Sequence, residues 1–159
     1  MKLASHNWMR PEPIDRTIAR LGEVGYDAIE ISGEPERFKP DETRKLLDKA
    51  KITCWGSVSI MIGGRDLISE KEDVRKASLQ YCLDTVDMIA GLGGRVFCLV
   101  PAEVGRVTPR AAPPQEWAWA VDNIKRVNDR CREKKVILGL APINRFEPTF
   151  LNRGDPALL

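Results

Sequence analysis

The sequence predicts an α/β fold built on a parallel sheet, and two observations lead to that prediction. Five short apolar runs alternate with four amphipathic segments in the order βαβαβαβαβ, which is the pattern of strands joined by crossover helices. The runs are also rich in β-branched and aromatic residues, as strands buried on both faces are. The predicted strands cover residues 3–5, 28–31, 52–55, 96–100 and 136–140.

The first two helical segments have the spacing and the end signals of amphipathic helices. Helix one follows Pro13, which suits a first helical turn, and it ends at Gly25. Its apolar positions share one face and are Ile14, Ile18, Leu21 and Val24. Helix two is predicted over residues 41–50, and its apolar side consists of Leu46, Leu47 and Ala50.

The third and fourth helical segments are longer. Helix three has the most regular apolar stripe and is closed by Gly93 and Gly94. The residues of that stripe are Val74, Ala77, Tyr81, Thr85, Met88, Ile89 and Leu92. Helix four is predicted to start after Pro113 and Pro114. Its predicted apolar face consists of Trp117, Val121, Ile124 and Cys131.

Composition excludes several classes of protein. The chain has 159 residues, a formal net charge of +2 and acidic and basic residues interspersed along its length, so no basic block predicts nucleic-acid binding. No apolar run approaches the roughly 20 residues of a membrane-spanning helix, and the N-terminus turns polar at once, unlike a signal peptide. The four cysteines form no C-x-x-C pair and are expected to be reduced packing residues in a cytoplasmic protein.

Polar residues near the ends of the first two predicted strands are candidate substrate-binding residues. Glu30 shares a strand face with Ala28, opposite the apolar Ile29. Because burying a lone carboxylate is costly, Glu30 is interpreted either as a polar pocket group or as one partner of an ion pair with an interior Lys or Arg. His6 and Trp8 lie at the end of the first strand. His6 is interpreted either as a substrate-pocket residue or as a capping or loop histidine.

Common catalytic motifs are absent from the sequence. His6 is the sole histidine, and nothing places a Ser and an Asp around it as a catalytic triad requires. The glycines at 63–64 and 91–94 match neither a dinucleotide-binding fingerprint nor a P-loop, so turn and helix-end roles are predicted for them. Two longer loops, 57–68 and 101–114, follow predicted strand ends, where parallel α/β proteins place their sites.

The segment after the fifth strand carries the most specific motif. Residues 140–152 read Leu-Ala-Pro-Ile-Asn-Arg-Phe-Glu-Pro-Thr-Phe-Leu-Asn, and residues 25–32 read Gly-Tyr-Asp-Ala-Ile-Glu-Ile-Ser. Both segments resemble the sugar phosphate isomerase/epimerase superfamily, and in particular the ketose 3-epimerases of the D-tagatose and D-psicose type. In that family strand five ends in Glu-x-x-Asn-Arg-Phe/Tyr-Glu, and Leu-Asn follows a few residues later. The matching residues here are Asn144, Arg145, Phe146, Glu147, Leu151 and Asn152.

The resemblance implies a xylose isomerase-like TIM barrel, of which residues 1–159 form a single partial domain. That domain would hold strands one to five of a (β/α)8 barrel, a parallel α/β arrangement of about (βα)4β, without the C-terminal half. A complete barrel typically needs about 250 residues. Asp155 is a good N-cap and Pro156 suits a first helical turn, so the chain is expected to stop where a further helix begins.

The resemblance also implies a metal-dependent reaction of carbohydrate metabolism. Complete members bind Mn²⁺, Mg²⁺ or Co²⁺ through two Glu, one Asp and one His. One carboxylate removes the C3 proton of a ketose and a second returns a proton on the other face, while the metal stabilises the enediolate. The first Glu of this set aligns with Ala141, and the other three ligands are expected beyond Leu159.

No catalytic residue is therefore expected to be intact in this chain, and no metal is expected to bind. The resemblance and the strand pattern together leave a set of expected sugar-contacting residues. These residues are His6, Trp8, Glu30, Asn144, Arg145 and Glu147.

Three functional interpretations stay open from the sequence. The first is an isomerase/epimerase by descent, present here as a fragment or a variant. The second is a non-catalytic half-barrel that associates with a second copy or with a complementary half, because its sheet edges are exposed. The third is a complete five-stranded flavodoxin-like domain that binds a small ligand.

Overall fold

The computed structural model describes residues 1–144, 146–147 and 150–154. Within them the chain forms one sheet of five parallel strands, which lie side by side in sequence order. The strands are β1 (Ala4–His6), β2 (Ala28–Glu30), β3 (Thr53–Val58), β4 (Val96–Leu99) and β5 (Ile137–Leu140). The predicted helix start at Asp155 and Pro156 lies outside the described residues.

A helix connects each strand to the next. These helices are α1 (Ile14–Glu23), α2 (Pro40–Ala50), α3 (Glu72–Gly91) and α4 (Pro113–Glu133). Each helix packs against the next one in sequence. Parallel crossovers are right-handed, so strands that add in one direction place all their helices on one face. A flavodoxin-like sheet reverses direction at a switch point, so that interpretation is wrong, and the expected (βα)4β arrangement is confirmed.

The strands differ from the predicted ranges by one to three residues at their ends. The largest difference is in β3, which continues to Val58 instead of ending at residue 55. The backbone explains this extension, because the Gly33 amide donates to the Val58 carbonyl at 2.9 Å and the Ile31 amide donates to the Gly56 carbonyl at 3.1 Å. An irregularity in register between Ile29 and Glu30 accompanies the longer strand.

The hydrophobic core lies between the sheet and the helices. Alternate strand residues such as Ile29, Phe97 and Leu99 are fully buried there, and they pack against helix residues such as Ile18 and Val86. Each buried side chain of this size stabilises the fold by roughly 1.5–3 kcal/mol. Packing between this face of the sheet and the helices therefore contributes most of the stability of the domain.

The opposite face of the sheet, which we call the open face, is not covered by the helices of the described residues. One in-register row crosses all five strands on this face. The residues of the row are His6, Glu30, Gly56, Val96 and Ile137. Ile137 is 61% exposed, which shows how little packs against this face.

Helix α4 buries a different face from the predicted one. Trp117 and Val121 are partly exposed, at 37% and 36%, so the predicted apolar face is wrong at these two positions. The buried residues of the helix are Glu116, Ala120, Asn123, Val127 and Cys131. Two of them are polar, and each is buried because it has a partner in the loops that precede the helix.

In α3, Ala77 is exposed although the rest of the predicted stripe is buried or half-buried.

The four turns that lead from a helix into the next strand share one backbone feature. Each contains a residue with positive φ, and these are Gly25 (83°), Lys51 (58°), Gly93 (76°) and Lys135 (58°). A left-handed residue at a helix end allows the chain to reverse within one turn. Glycine adopts this conformation freely, whereas lysine adopts it at a cost in free energy.

All four cysteines are free thiols, and Cys54, Cys82 and Cys131 are buried. The predicted packing role is confirmed for these three, whereas Cys98 is half-buried on the open face.

No helix in the described residues has the length and apolar character needed to cross a membrane. The cytoplasmic location stays a prediction.

Gly56 and Gly139 provide a matched test of the sheet. A Cβ atom at Gly56 would overlap the Val96 carbonyl oxygen, whereas a Cβ at Gly139 would come no closer than 3.8 Å to the Phe97 carbonyl oxygen. We expect Gly56→Ala to lower the free energy of unfolding by about 1–3 kcal/mol, because β3 and β4 must separate to admit the methyl group. Urea denaturation of both variants measures the difference, and equal stability of Gly56→Ala and Gly139→Ala would contradict this prediction.

Candidate active site

The carboxyl ends of β1 and β2 bring three expected site residues together. His6 and Glu30 are in-register partners on the open face, and neighbouring strands lie about 4.8 Å apart. The His6 ring stacks on Trp8 with 4.3 Å between ring centroids and 18° between planes. His6 Nδ1 is buried and has no hydrogen-bond partner among the described residues. The ring is thus held by stacking, and its buried Nδ1 has an unused hydrogen-bonding capacity.

Glu30 is half-buried on the open face. Across the described ranges, no Lys, Arg or His side chain lies within ion-pair distance of its carboxylate. The interpretation of Glu30 as one half of an interior ion pair therefore has no support there. The polar-pocket interpretation fits a carboxylate that faces the open side of the sheet beside a histidine.

Asn7 and Ser32, which sequence reasoning did not select as site residues, form a hydrogen-bond network beside this pair. The Asn7 side chain accepts from the Ser32 amide at 2.8 Å and donates to the Ser32 hydroxyl at 3.1 Å. The Ser32 hydroxyl donates to Glu34 at 2.7 Å, and Arg37 pairs with Glu34 at 2.6 Å. Asn7 and Ser32 both lie just past a strand end, and that position is the signal that could have identified them.

Tyr81 of α3 joins the ends of β2 and β3. Its hydroxyl donates to the Gly33 carbonyl at 2.7 Å and accepts from the Ile60 amide at 2.7 Å. The Arg65 guanidinium lies 4.0 Å from the centre of its ring, a cation–π geometry. Burial raises the pKa of the Tyr81 hydroxyl to about 12, so it stays protonated and can donate at neutral pH. Both strand ends are therefore fixed from the helix side.

A buried ion cluster, consisting of Asp66, Arg106 and Glu116, lies between the loops after β3 and β4. The side chains of Asp66 and Arg106 are each only 1% exposed and lie 3.5 Å apart. Arg106 also pairs with Glu116, which accepts further hydrogen bonds from the backbone amides of Arg110 and Ala111. Burial raises the pKa of the Asp66 carboxyl in spite of Arg106. Periodicity in the sequence gave no signal for this cluster.

Ala141 directly follows Leu140, the last residue of β5. The Ala141 amide donates to the Leu99 carbonyl at 3.0 Å. Ile137 and Gly139 are partners of Val96 and Cys98, so strand alternation places position 141 on the open face with them. Ala141 is half-buried and presents only a methyl group at this point.

Asn144 folds the next segment into a turn, which we call the Asn144 turn. Its side-chain oxygen accepts from the Phe146 amide at 2.9 Å, and its side-chain nitrogen donates to Glu147 Oε1 at 2.6 Å. The Glu147 amide donates to the Asn144 carbonyl at 3.1 Å. Arg145 lies outside the described residues. The structure thus joins Asn144 to Glu147, and His6 to Glu30 and Trp8, with no direct contact between the two groups among the described residues.

Cys98 reports on the electrostatics of the open face. Burial and, second, the negative charge of Glu30 raise the pKa of its thiol. Glu30 and Cys98 lie on the strands on either side of β3. Gly56, the β3 partner of Glu30, has no side chain on the open face. The carboxylate of β2 and the thiol of β4 therefore share one electrostatic environment on this face.

A family model described as xylose isomerase-like TIM barrel matches residues 18–158. The chain belongs to the xylose isomerase-like TIM barrel family. Two curated relatives of this family member are ketose 3-epimerase of Arthrobacter globiformis and L-ribulose 3-epimerase of Methylomonas sp. (strain DH-1). The first is 26% identical over 148 residues, which are 92% of this chain and 51% of the relative. The second is 24% identical over 141 residues, which are 87% of this chain and 49% of the relative.

This family member is also similar to solved structures. D-allulose 3-epimerase from Methylomonas sp., in complex with D-allulose, has a TM-score of 0.85 at 23% identity, over 99% of this chain and 57% of that chain. A xylose isomerase-like TIM barrel protein from Mycobacterium smegmatis, in complex with magnesium, has a TM-score of 0.70 at 12% identity, over 99% of this chain and 59% of that chain. These likenesses show the TIM-barrel fold. The chain spans about half the length of the curated relatives it matches.

The described residues of this family member form no cluster that fits a divalent metal. No group of three or more His, Cys, Asp and Glu side chains in the described ranges is arranged to hold a metal ion. Hard cations such as Mn²⁺ and Mg²⁺ need several oxygen ligands in a defined geometry, and Ala141 supplies none. No chemical step through a metal follows from these residues, and the expected absence of bound metal stays a prediction.

Thiol reactivity tests the placement of Glu30. We expect Glu30→Gln to increase the alkylation rate of Cys98 by iodoacetamide at pH 8 by roughly two- to fivefold, because loss of the carboxylate charge lowers the pKa of the thiol. Glu34→Gln is the control, since it removes the same charge from the neighbouring network. Mass spectrometry identifies the modified cysteine, and an equal rate in both variants would mean that Glu30 lies too far from Cys98.

Proposed function

We propose that this chain forms the sugar-contacting wall of a ketose 3-epimerase site and does not itself catalyse epimerisation. The in-register pair of His6 and Glu30 on the open face carries the proposal. It lies at the strand ends where TIM barrels hold their substrates. The similarity to a ketose 3-epimerase and an L-ribulose 3-epimerase supports a ketose as the ligand.

The proposed wall offers the groups that a sugar needs. Sugar hydroxyls both donate and accept hydrogen bonds, so a carboxylate at Glu30 and a ring nitrogen at His6 are complementary partners. Trp8 presents an exposed aromatic ring on which the apolar face of a sugar can pack. Asn144 and Glu147 supply an amide and a carboxylate at the end of β5, and Arg145 adds a permanent positive charge to the same segment.

The proposal assigns no catalytic step to this chain. Inversion at C3 requires one group that removes a proton on one face of the carbon and another that returns a proton on the opposite face. Ala141 occupies the position at which the resemblance implies the first of these groups. Glu147 is hydrogen-bonded to Asn144 and is assigned to substrate contact. We therefore assign sugar binding to this chain and epimerisation to a barrel that has both carboxylates.

A second proposal concerns assembly. Residues 1–159 would act as one partial-barrel domain that associates with a second copy or with a complementary half. Ile137 is exposed on the open face, and β1 and β5 each have one strand neighbour among the described residues. Exposed apolar area costs about 25 cal/mol per Å², and unpaired strand edges favour association.

Chimeric enzymes test the proposed role of position 141. The 159 residues would be joined to the part of Arthrobacter globiformis ketose 3-epimerase that lies beyond its match to this chain. We expect the chimera with Ala141→Glu to epimerise D-fructose, D-psicose or D-tagatose in the presence of Mn²⁺ at least ~100-fold faster than the chimera with Ala141, because the missing proton-transfer group is restored. Chromatographic analysis of the sugars measures C3 epimerisation.

The control for this experiment is Ala141→Gln, which has nearly the same shape as Glu but cannot act as a base, and it should remain inactive. The 159-residue chain alone, with or without Ala141→Glu, should also be inactive. Metal-dependent turnover by the unaltered 159-residue chain would overturn the proposal and would mean that a second subunit supplies the missing groups.

Self-association is tested by sedimentation of the 159-residue chain. We expect concentration-dependent oligomers, because the open face and both sheet edges lack partners within the described residues. Ile137→Lys places a charge on the open face at an exposed position, and we expect it to shift the equilibrium towards the monomer. A sharp monomeric boundary at all concentrations, with cooperative unfolding, would count against the assembly proposal.

A further inference from the structure

We infer that Arg106 is a positioning residue that holds the Asn144 turn. This turn lies at the mouth of the barrel wall, by which we mean the carboxyl ends of the strands. This inference rests on the proposed function, because the buried ion cluster affects sugar binding only if Glu147 contacts the sugar. Arg106 itself is buried, so its role is to fix the loop that reaches the turn and not to touch the sugar.

The first step of the argument is the anchoring of Arg106. Its guanidinium contacts Asp66 in the loop after β3 and Glu116 in α4, so one side chain joins two separate elements. Removing the cation would take the buried counter-charge away from two buried carboxylates, which is strongly unfavourable. A lysine ammonium is a compact charge, whereas the planar guanidinium of Arg106 presents separate nitrogens to the two carboxylates.

The second step is the adjacent residue. The Gly105 amide donates to the Glu147 carbonyl at 3.0 Å, and the Val104 amide donates to the Met61 carbonyl at 2.8 Å. Gly105 has a φ of 92°, a left-handed conformation that L side chains rarely adopt. The loop after β4 thus contacts the loops on both sides of it, and Arg106 is the next residue in the chain.

The third step compares Arg106 with the other charged groups of the same loop. Glu103 in the same loop accepts from the Gly64 amide at 2.8 Å and pairs with Arg110 at 3.2 Å. Arg110 is about half exposed there, and exposed ion pairs contribute little to stability. Within the described part of this loop, the buried guanidinium of Arg106 is therefore the stronger ionic constraint on where the Gly105 amide lies.

The test compares Arg106→Lys and Arg106→Met with Arg130→Met in the complete 159-residue chain. Arg130 pairs with Asp87 at 2.7 Å and lies about 21 Å along α4 from Glu116, so its replacement removes an ion pair far from the mouth. Amide hydrogen exchange measured by NMR gives the protection of Gly105, Phe146 and Glu147. Urea denaturation gives the global stability, and NMR titration gives the affinities for D-allulose and D-tagatose.

We expect both Arg106 variants to increase exchange at the Gly105 and Glu147 amides about tenfold or more beyond the change in global unfolding. The control variant should change these amides only in proportion to its global stability. Sugar affinity should fall at least about threefold for Arg106→Lys and stay unchanged for Arg130→Met. If Arg106→Met does not fold, Arg106→Lys and Glu116→Gln decide the question by the same measurements.

Exchange at Gly105 and Glu147 that follows only global stability in the Arg106 variants would overturn the inference. The two arms of the experiment separate the two proposals. If the unaltered chain binds neither sugar, the proposed sugar-contacting wall fails, whereas the exchange measurement still shows whether Arg106 positions the Asn144 turn.

Discussion

The structure depends on one constraint, which is that parallel strands add to the sheet in a single direction. Right-handed crossovers then place every helix on the same face, and the buried members of each strand, such as Ile29 and Phe97, pack against those helices. The other face receives no helix within the described residues, so the backbone pairing of the strands sets where its residues lie. The in-register row from His6 to Ile137 follows from this arrangement, and so does the proximity of Glu30 to His6.

Much of this arrangement could be predicted from the sequence because hydrophobic patterns report directly on burial. The alternation in β2 placed Glu30 opposite Ile29, and the structure confirms that division. The order of strands and helices was also predictable, since each element has its own period. The exclusion of a flavodoxin-like sheet came only with the strand order, because a local pattern does not state on which side the next strand adds.

The parts that sequence reasoning missed are those in which polar groups are buried by partners distant in the chain. Glu116 and Asn123 lie on the buried face of α4 because Arg106 and the Leu67 carbonyl bind them. A periodicity argument treats both as solvent-facing, and it consequently assigned Trp117 and Val121 to the core. The network of Asn7 and Ser32 was missed for the same reason, since it joins residues that are 25 positions apart.

The turns from helix to strand lie at the end of the sheet opposite to the candidate site. Two of them use glycine and two use lysine in the left-handed conformation, so Lys51 and Lys135 carry a conformational cost that glycine at the same position would not. The sequence can therefore change in these turns without changing the residues at the mouth of the barrel wall. Substitutions in these turns can change the stability of the scaffold while the candidate site residues stay the same, so stability and the candidate site can change independently.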